Sequence, residues 1–212
     1  DIIVIDSNSE DKTYARNLGA RVEFIENINY DIGAYLSGYR LHPNYETYIC
    51  IHDSFTFNAP FEPNRTGLSP FRTFEARRVI GKQYAISGRK DALMFLIRAK
   101  KKRAAMQSYG FDSEEQINYF DHVCSQLHIT PTASWLGIFG PIFTADNVSM
   151  SFLSKLLTQE ILPKSKSEQM GFERILGIVA QKKLQVTEPY WGDHFATPLI
   201  DDNFSKNIIN RT

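Results

Sequence analysis

The sequence is poor in cysteine: Cys50 and Cys124 are the only two among its 212 residues. That is too few for a disulfide framework. Cys50 lies in the apolar run TYICIH, where a buried free thiol is expected. No apolar stretch approaches the roughly 18 residues of a spanning helix, and no leader with a basic start and a short apolar stretch is visible. Net charge is missing too, because 24 Lys and Arg offset 24 Asp and Glu. Neutrality removes the electrostatic case for a chain-wide nucleic-acid or membrane-surface binder. Internal repeats and low-complexity linkers are absent. What is present is 42% hydrophobic and 23% charged residues, a composition ordinary for a soluble globular protein. The length fits one domain with one sizeable core.

The opening DIIVID (1–6) is a short apolar run ending in an acid and predicts a buried strand. Ser7 and Glu10 stand in capping-box spacing, predicting a polar helix that stops at Gly19. RVEFIE (21–26) alternates like a second strand, 32–41 suits a short helix, and TYICIH (47–52) a third strand. This β-α-β-α-β order predicts an α/β fold with a mostly parallel central sheet flanked by helices. Pro60, Pro63 and Pro70 mark 55–74 as a loop excursion. Helices are predicted over 90–108, 113–127 (Ser113 and Gln116 in capping register), 146–161 and 167–183. SWLGIFGPIFTA (134–145) predicts a strand with a bulge or close backbone approach, and 184–187 a last short strand.

In an open parallel sheet, ligands gather beyond the carboxyl ends of the strands. The first strand end offers Asp6, Ser7, Asn8 and Ser9. The second offers Asn27, Asn29 and Asp31, with Gly33 opening a helix; the third offers His52, Asp53 and Ser54. Singly, Ser7 and Asp31 read as helix caps and Asp53 as a turn residue. Together, three polar clusters at successive strand ends predict a site. The basic run Arg98–Arg103 reads as the solvated last turn of a helix, where cations suit the dipole. Trp135 reads as core. Trp191, in YWGDHF, reads either as core or as a ring that stacks on a sugar.

These segments carry a resemblance. IIVIDSNSEDKT followed by LGARVEFIEN resembles the second and third strands of GT-A glycosyltransferases. NINYDIGAY resembles the N-x-G-x-D-x-G segment of rhamnan-synthesis and related polysaccharide glycosyltransferases. YETYICIHDSF resembles the strand ending in Asn-Asp-Ser that follows it there. GIFGPIF and EQMGFERILG are similar to a later strand and a Glu-Arg helix of such transferases, some of them encoded by large DNA viruses. The resemblance implies a single GT-A-like domain over 1–212, with a nucleotide-binding half (1–54) and an acceptor half with a C-terminal metal-site segment (55–212). It implies a transferase that moves a sugar from a nucleotide diphosphate donor, a UDP-sugar, to a saccharide or glycan acceptor in the cytoplasm. For a virus-encoded chain that is the host cytoplasm. Asp6 then matches an acid on the nucleobase or ribose, and Asp31, beside Gly33, an acid facing the nucleotide or donor sugar. Ser7, Asn29, His52 and Trp191 join the donor site. Asp53 matches an acid of the metal-binding D-x-D region. His52-Asp53-Ser54-Phe55 departs from the family in having one carboxylate rather than two. The family also has a strand before the one at 2–6, so the chain is expected to begin one strand late or to be part of a longer multidomain chain.

A departing sugar diphosphate must share its charge with something, and a divalent cation does so as a Lewis acid. Mg²⁺ or Mn²⁺ takes a roughly octahedral oxygen shell, and Mn²⁺ accepts imidazole more readily. Asp53 is the first candidate ligand and His194 the second, with Asp193 as an alternative. If transfer inverts the anomeric centre, a general base must take the acceptor proton. Glu168 and Glu173 are the candidates, the latter on the resemblance of Glu173-Arg174 to the base-bearing helix of inverting relatives. Both equally suit solvated helix positions. Two alternatives stand beside the transferase: a nucleotidyltransferase, and a non-catalytic nucleotide- or carbohydrate-binding module.

Overall fold

The apolar alternation of the first residues becomes a parallel strand pair. β1 (Ile3–Ser7) and β2 (Arg21–Ile25) run side by side, Ile3 opposite Arg21 and Ser7 opposite Ile25. A computed structural model describes residues 1–52, 55–57, 61–80, 108–191, 200–201 and 204–206. The link between β1 and β2 carries a short 3-10 helix, Thr13–Asn17, without a side-chain cap, where a polar helix capped by Ser7 and running to Gly19 is predicted. Ser7 cannot cap it, because Ser7 is still in β1; Asp6 takes the Ser9 N–H instead. α1 (Tyr30–Leu41) follows and buries Ile32 and Leu36 completely. It lies on the Ile5 face of the pair: a Cβ on Gly38 would sit 3.1 Å from Ile5 Cγ1. The helix then leads into β3 (Thr47–Cys50).

Beyond β3 the topology changes. The strands are β4 (Phe55–Phe57), β5 (Leu68–Pro70), β6 (Thr73–Ile80), β7 (Ser108–Phe111), β8 (Ser134–Ile138) and β9 (Phe143–Asp146), then the short β10 (Ile200–Asp201) and β11 (Phe204–Lys206). β9 lies between β3 and β5, antiparallel to both. β6 lies between β7, parallel, and β8, antiparallel. β11 pairs antiparallel with both β4 and β10. The mixed α/β class holds, but among the described strands only β1–β2 and β6–β7 are parallel, so the predicted mostly parallel sheet needs correcting. The cause is a long segment, 68–80, that runs back along 134–146. The ladder bends at its middle, where Phe71 N–H donates to Ile142 C=O (3.0 Å) and Phe139 N–H to Arg72 C=O (3.1 Å). The predicted loop at 55–74 is therefore corrected as well: Leu68, Phe71 and Phe74 are core residues. The predicted single strand at 134–145 is two strands, β8 and β9, turned through Gly140 at φ 63°. The predicted last strand at 184–187 is reduced to one bridge between Leu68 and Val186.

α2 (Glu114–Gln126), α3 (Asn147–Leu156) and α4 (Lys166–Lys183) complete the described helices. Each begins with an acceptor side chain: Ser113 on Gln116 N–H, Asp146 on Ser149 N–H and Ser165 on Glu168 N–H. α4 touches β8 so closely that a Cβ on Gly177 would stand 1.9 Å from Leu136 O. Trp135 is core, stacked on Phe120 at 5.0 Å and donating to Arg174 C=O at 3.1 Å. The Arg174 guanidinium is fully buried, lies over the Phe111 ring and donates to Gly110 C=O and Met170 C=O. Cys50 and Cys124 are buried and free. The helix predicted over 90–108 and its basic run lie outside the described residues. Among the described residues no helix is long and apolar enough to cross a membrane.

Candidate functional site

The carboxyl ends of β1 and β2 meet in a polar knot built on asparagine. Asn8, at φ 65°, sits in the left-handed region that asparagine tolerates. Asn8 and Asn27 bond reciprocally: Asn8 Nδ2 donates to Asn27 C=O (2.7 Å) and Asn27 N–H to Asn8 Oδ1 (3.2 Å). The Asn27 side chain then ties the two strand ends to α1. Its Nδ2 donates to Ser7 Oγ (3.2 Å) and Tyr30 C=O (2.8 Å), and its Oδ1 accepts Asn29 N–H (2.9 Å). Gly33 is demanded by this packing, since a Cβ there would lie 2.2 Å from Asn27 Oδ1 and 2.6 Å from Asn29 Cβ. Asn29 is buried and donates to Pro163 C=O at 3.2 Å, which brings the start of α4 to the start of α1. Asp31 lies half-buried in the first turn of α1, where a carboxylate suits the helix dipole.

Asp6 closes the knot from β1. It is 5% exposed; one carboxylate oxygen accepts Ser9 N–H at 2.9 Å and the other accepts the Tyr14 hydroxyl. Burial pushes the Asp6 carboxyl up. Hydrogen bonds from Tyr14 and Ser9, helped by the Lys12 charge, outweigh burial and hold it below its ordinary value. The same contact, with some desolvation, raises the Tyr14 phenol.

The structure thus brings Asp6, Ser7, Asn29, Asp31 and Gly33 together, with Glu168 behind them through the Asn29–Pro163 bond. Glu168 is employed in a cap: its Oε2 accepts Lys164 N–H (2.6 Å) while its own N–H donates to Ser165 Oγ (3.1 Å). The Ser165-x-x-Glu168 spacing is the sequence signal for that role. Glu173 lies further along α4, half-buried, beside the buried Arg174. His52 and Trp191 border a second region, the bend of the β8–β9 segment. A Cβ on Gly140 would be 3.8 Å from His52 Nε2. Trp191 stacks on Phe71 at 4.7 Å, in a cluster with Phe57, Phe61 and Tyr190, and its backbone N–H donates to Phe71 C=O at 2.9 Å. An open cleft of about 590 Å³ lies elsewhere, at the amino end of β3, between Tyr45, Glu46, Glu62 and Arg65.

Asp53, Asp193 and His194, the expected metal ligands, lie outside the described residues. Among the described residues no three acidic, histidine or cysteine side chains converge on one point. Two participants escape sequence reasoning. Asn27 stands among the strand-end residues, but nothing marks it as the hub. Tyr14 carries no signal at all, because its contact with Asp6 depends on the 3-10 turn. The chain matches no protein-family model, no curated protein and no solved structure.

Proposed function

We propose that this chain is a GT-A-like glycosyltransferase that moves a sugar from a nucleoside diphosphate sugar, a UDP-sugar, to a saccharide acceptor in the cytoplasm. One observation carries the reading. A parallel strand pair ends at one place with Asp6, Ser7 and Asn8 from β1, Asn27 just after β2, and the first turn of α1 with Asp31. Carboxyl ends of parallel strands beside a helix start are where open α/β sheets hold nucleotides. The short run β1–β2–α1–β3 supports a GT-A-like core.

In this reading the chain's own groups bind and orient. Asp31 and the α1 start face the donor, and Ser7 and Asn29 keep the strand ends in register with α1. The aromatic cluster at Trp191 offers a ring for a sugar to stack on. Glu173 is the base if transfer inverts. A divalent cation, Mn²⁺ or Mg²⁺, held by Asp53 and His194 would stabilise the departing diphosphate.

The test is a thermal-shift screen of nucleoside diphosphates with Mn²⁺, followed by hydrolysis of the matching nucleotide sugars. Binding at 100 times Kd stabilises a fold by about 2.7 kcal/mol, roughly 5–11 °C for a chain of this size. No shift with any nucleoside diphosphate would reject the reading. A second reading, a non-catalytic nucleotide- or carbohydrate-binding module, is favoured by the single carboxylate of His52-Asp53-Ser54. Metal-dependent hydrolysis that is lost in Asp53→Asn, with the fold intact, decides for the enzyme.

A further inference from the structure

Among the described residues Asp6 is the one acidic side chain that is buried, and it is buried under a weakly held piece of chain. The 3-10 helix Thr13–Asn17 buries none of its residues and has no side-chain cap. Two of its backbone N–H groups bond locally: Thr13 N–H to Asp11 Oδ1 (2.8 Å) and Ala15 N–H to Lys12 C=O (3.3 Å). Tyr14 is 37% exposed, and its hydroxyl joins the turn to β1. On the same face Phe24, the register partner of Asp6, is 42% exposed, with the Lys12 ammonium 4.8 Å above its ring.

We propose that the Tyr14 hydroxyl is a displaceable stand-in for a ligand donor on Asp6, and that the turn 13–17 is a flap that leaves when a ribose hydroxyl or base N–H takes its place. The exchange is like for like: one neutral donor replaces another on the same carboxylate, so no buried charge is left unpaired. Opening exposes limited apolar surface, because no residue of the turn is fully buried. Lys12, at the foot of the flap, gives an anionic ligand a cation to approach. Asp6 is then unavailable to a ligand until Tyr14 leaves, and the apparent affinity carries the cost of that opening.

This inference rests on the nucleotide-site reading, and the experiment separates the two. UDP and inorganic pyrophosphate, each with Mn²⁺, are titrated calorimetrically into the whole chain and into Tyr14→Phe and Asp6→Asn. Removing the competing hydroxyl should tighten UDP binding by roughly three- to tenfold, the size of one modest net hydrogen bond, and leave pyrophosphate unchanged. Asp6→Asn should weaken UDP alone. Amide exchange over residues 9–17 of the unaltered protein should speed up on UDP binding. Tighter binding in Tyr14→Phe together with faster flap exchange supports the proposal. UDP binding that Tyr14→Phe leaves unchanged or weakens, or flap amides that become protected, overturns the proposal alone. Absence of UDP binding in every variant overturns the nucleotide reading and this inference with it.

Discussion

Replacing Gly33 by alanine sets two effects of opposite sign against each other. Gly33 lies inside α1, where alanine is favoured over glycine by about 1 kcal/mol. Propensity alone therefore predicts a stabilised protein. The added methyl, however, would lie 2.2 Å from Asn27 Oδ1 and 2.6 Å from Asn29 Cβ. Asn27 cannot step aside freely, because its side chain bonds Ser7 Oγ, Tyr30 C=O and Asn29 N–H. Overpacking costs about 1–3 kcal/mol, and each net hydrogen bond lost adds about 0.5–1.5 kcal/mol. The clash should win, leaving Gly33→Ala destabilised by about 1–3 kcal/mol after the propensity gain is subtracted. Urea unfolding at constant slope measures it. Asn27→Ala alone should also destabilise, and in its background Gly33→Ala should cost at least about 1 kcal/mol less, since the nearest obstacle is gone. A neutral or stabilising Gly33→Ala would refute the steric argument. Equal costs in both backgrounds would show that Asn27 is not the obstacle.

Three further outcomes follow from contacts elsewhere. Burial raises the Cys50 thiol far above its ordinary value and pushes Cys124 up to about 12, so neither should react with iodoacetamide near neutral pH until the protein unfolds. Asp146 accepts Ser149 N–H and Gly67 N–H, both at 2.7 Å, so Asp146→Ala should cost about 1–2 kcal/mol in urea. Burial raises the Asp146 carboxyl but those bonds hold it below its ordinary value; its contribution is present above that value and lost as pH falls through the folded one, so the variant should be less acid-sensitive. The Tyr14 phenol is raised, so the Asp6 contact should persist below about pH 10 and fade as pH climbs through the folded value. Tyrosinate absorbance should then show a late-ionising group that Tyr14→Phe removes.

The first fifty residues were largely legible in the sequence because their periods are clean: β1, β2, α1 and β3 fall close to where alternation and polar ends put them. Cap chemistry located the start of α2, through Ser113 and Gln116. The β5–β6 segment was not legible, since Pro63 and Pro70 signal a loop locally while its partner lies in 134–146. Pairing over that separation leaves no local trace, and the sense of the sheet was lost with it. In the site, residue types at strand ends were visible, but their bonding was not. Ser7 and Asn29 look like ligand contacts in a string of letters. In space Ser7 Oγ already accepts from the Asn27 amide, and Asn29 Nδ2 already donates to Pro163 C=O.

The β1–β2 ribbon has one more consequence. Among the described residues these two strands pair only with each other, and their main tertiary support is α1. Ile3, Val4 and Ile5 are only half-buried, whereas the α4–β8 region is densely buried around Phe172 and Ile175. The molecule should therefore not open all at once. The ribbon should then form a low-stability foldon whose amides exchange through sub-global openings, while those of α4 should wait for global unfolding. The polar knot then sits on the part of the protein that yields first, so a ligand bound there would slow exchange along the paired strands, residues 3–7 and 21–25, as well as at the atoms it touches, while the turn between them is released.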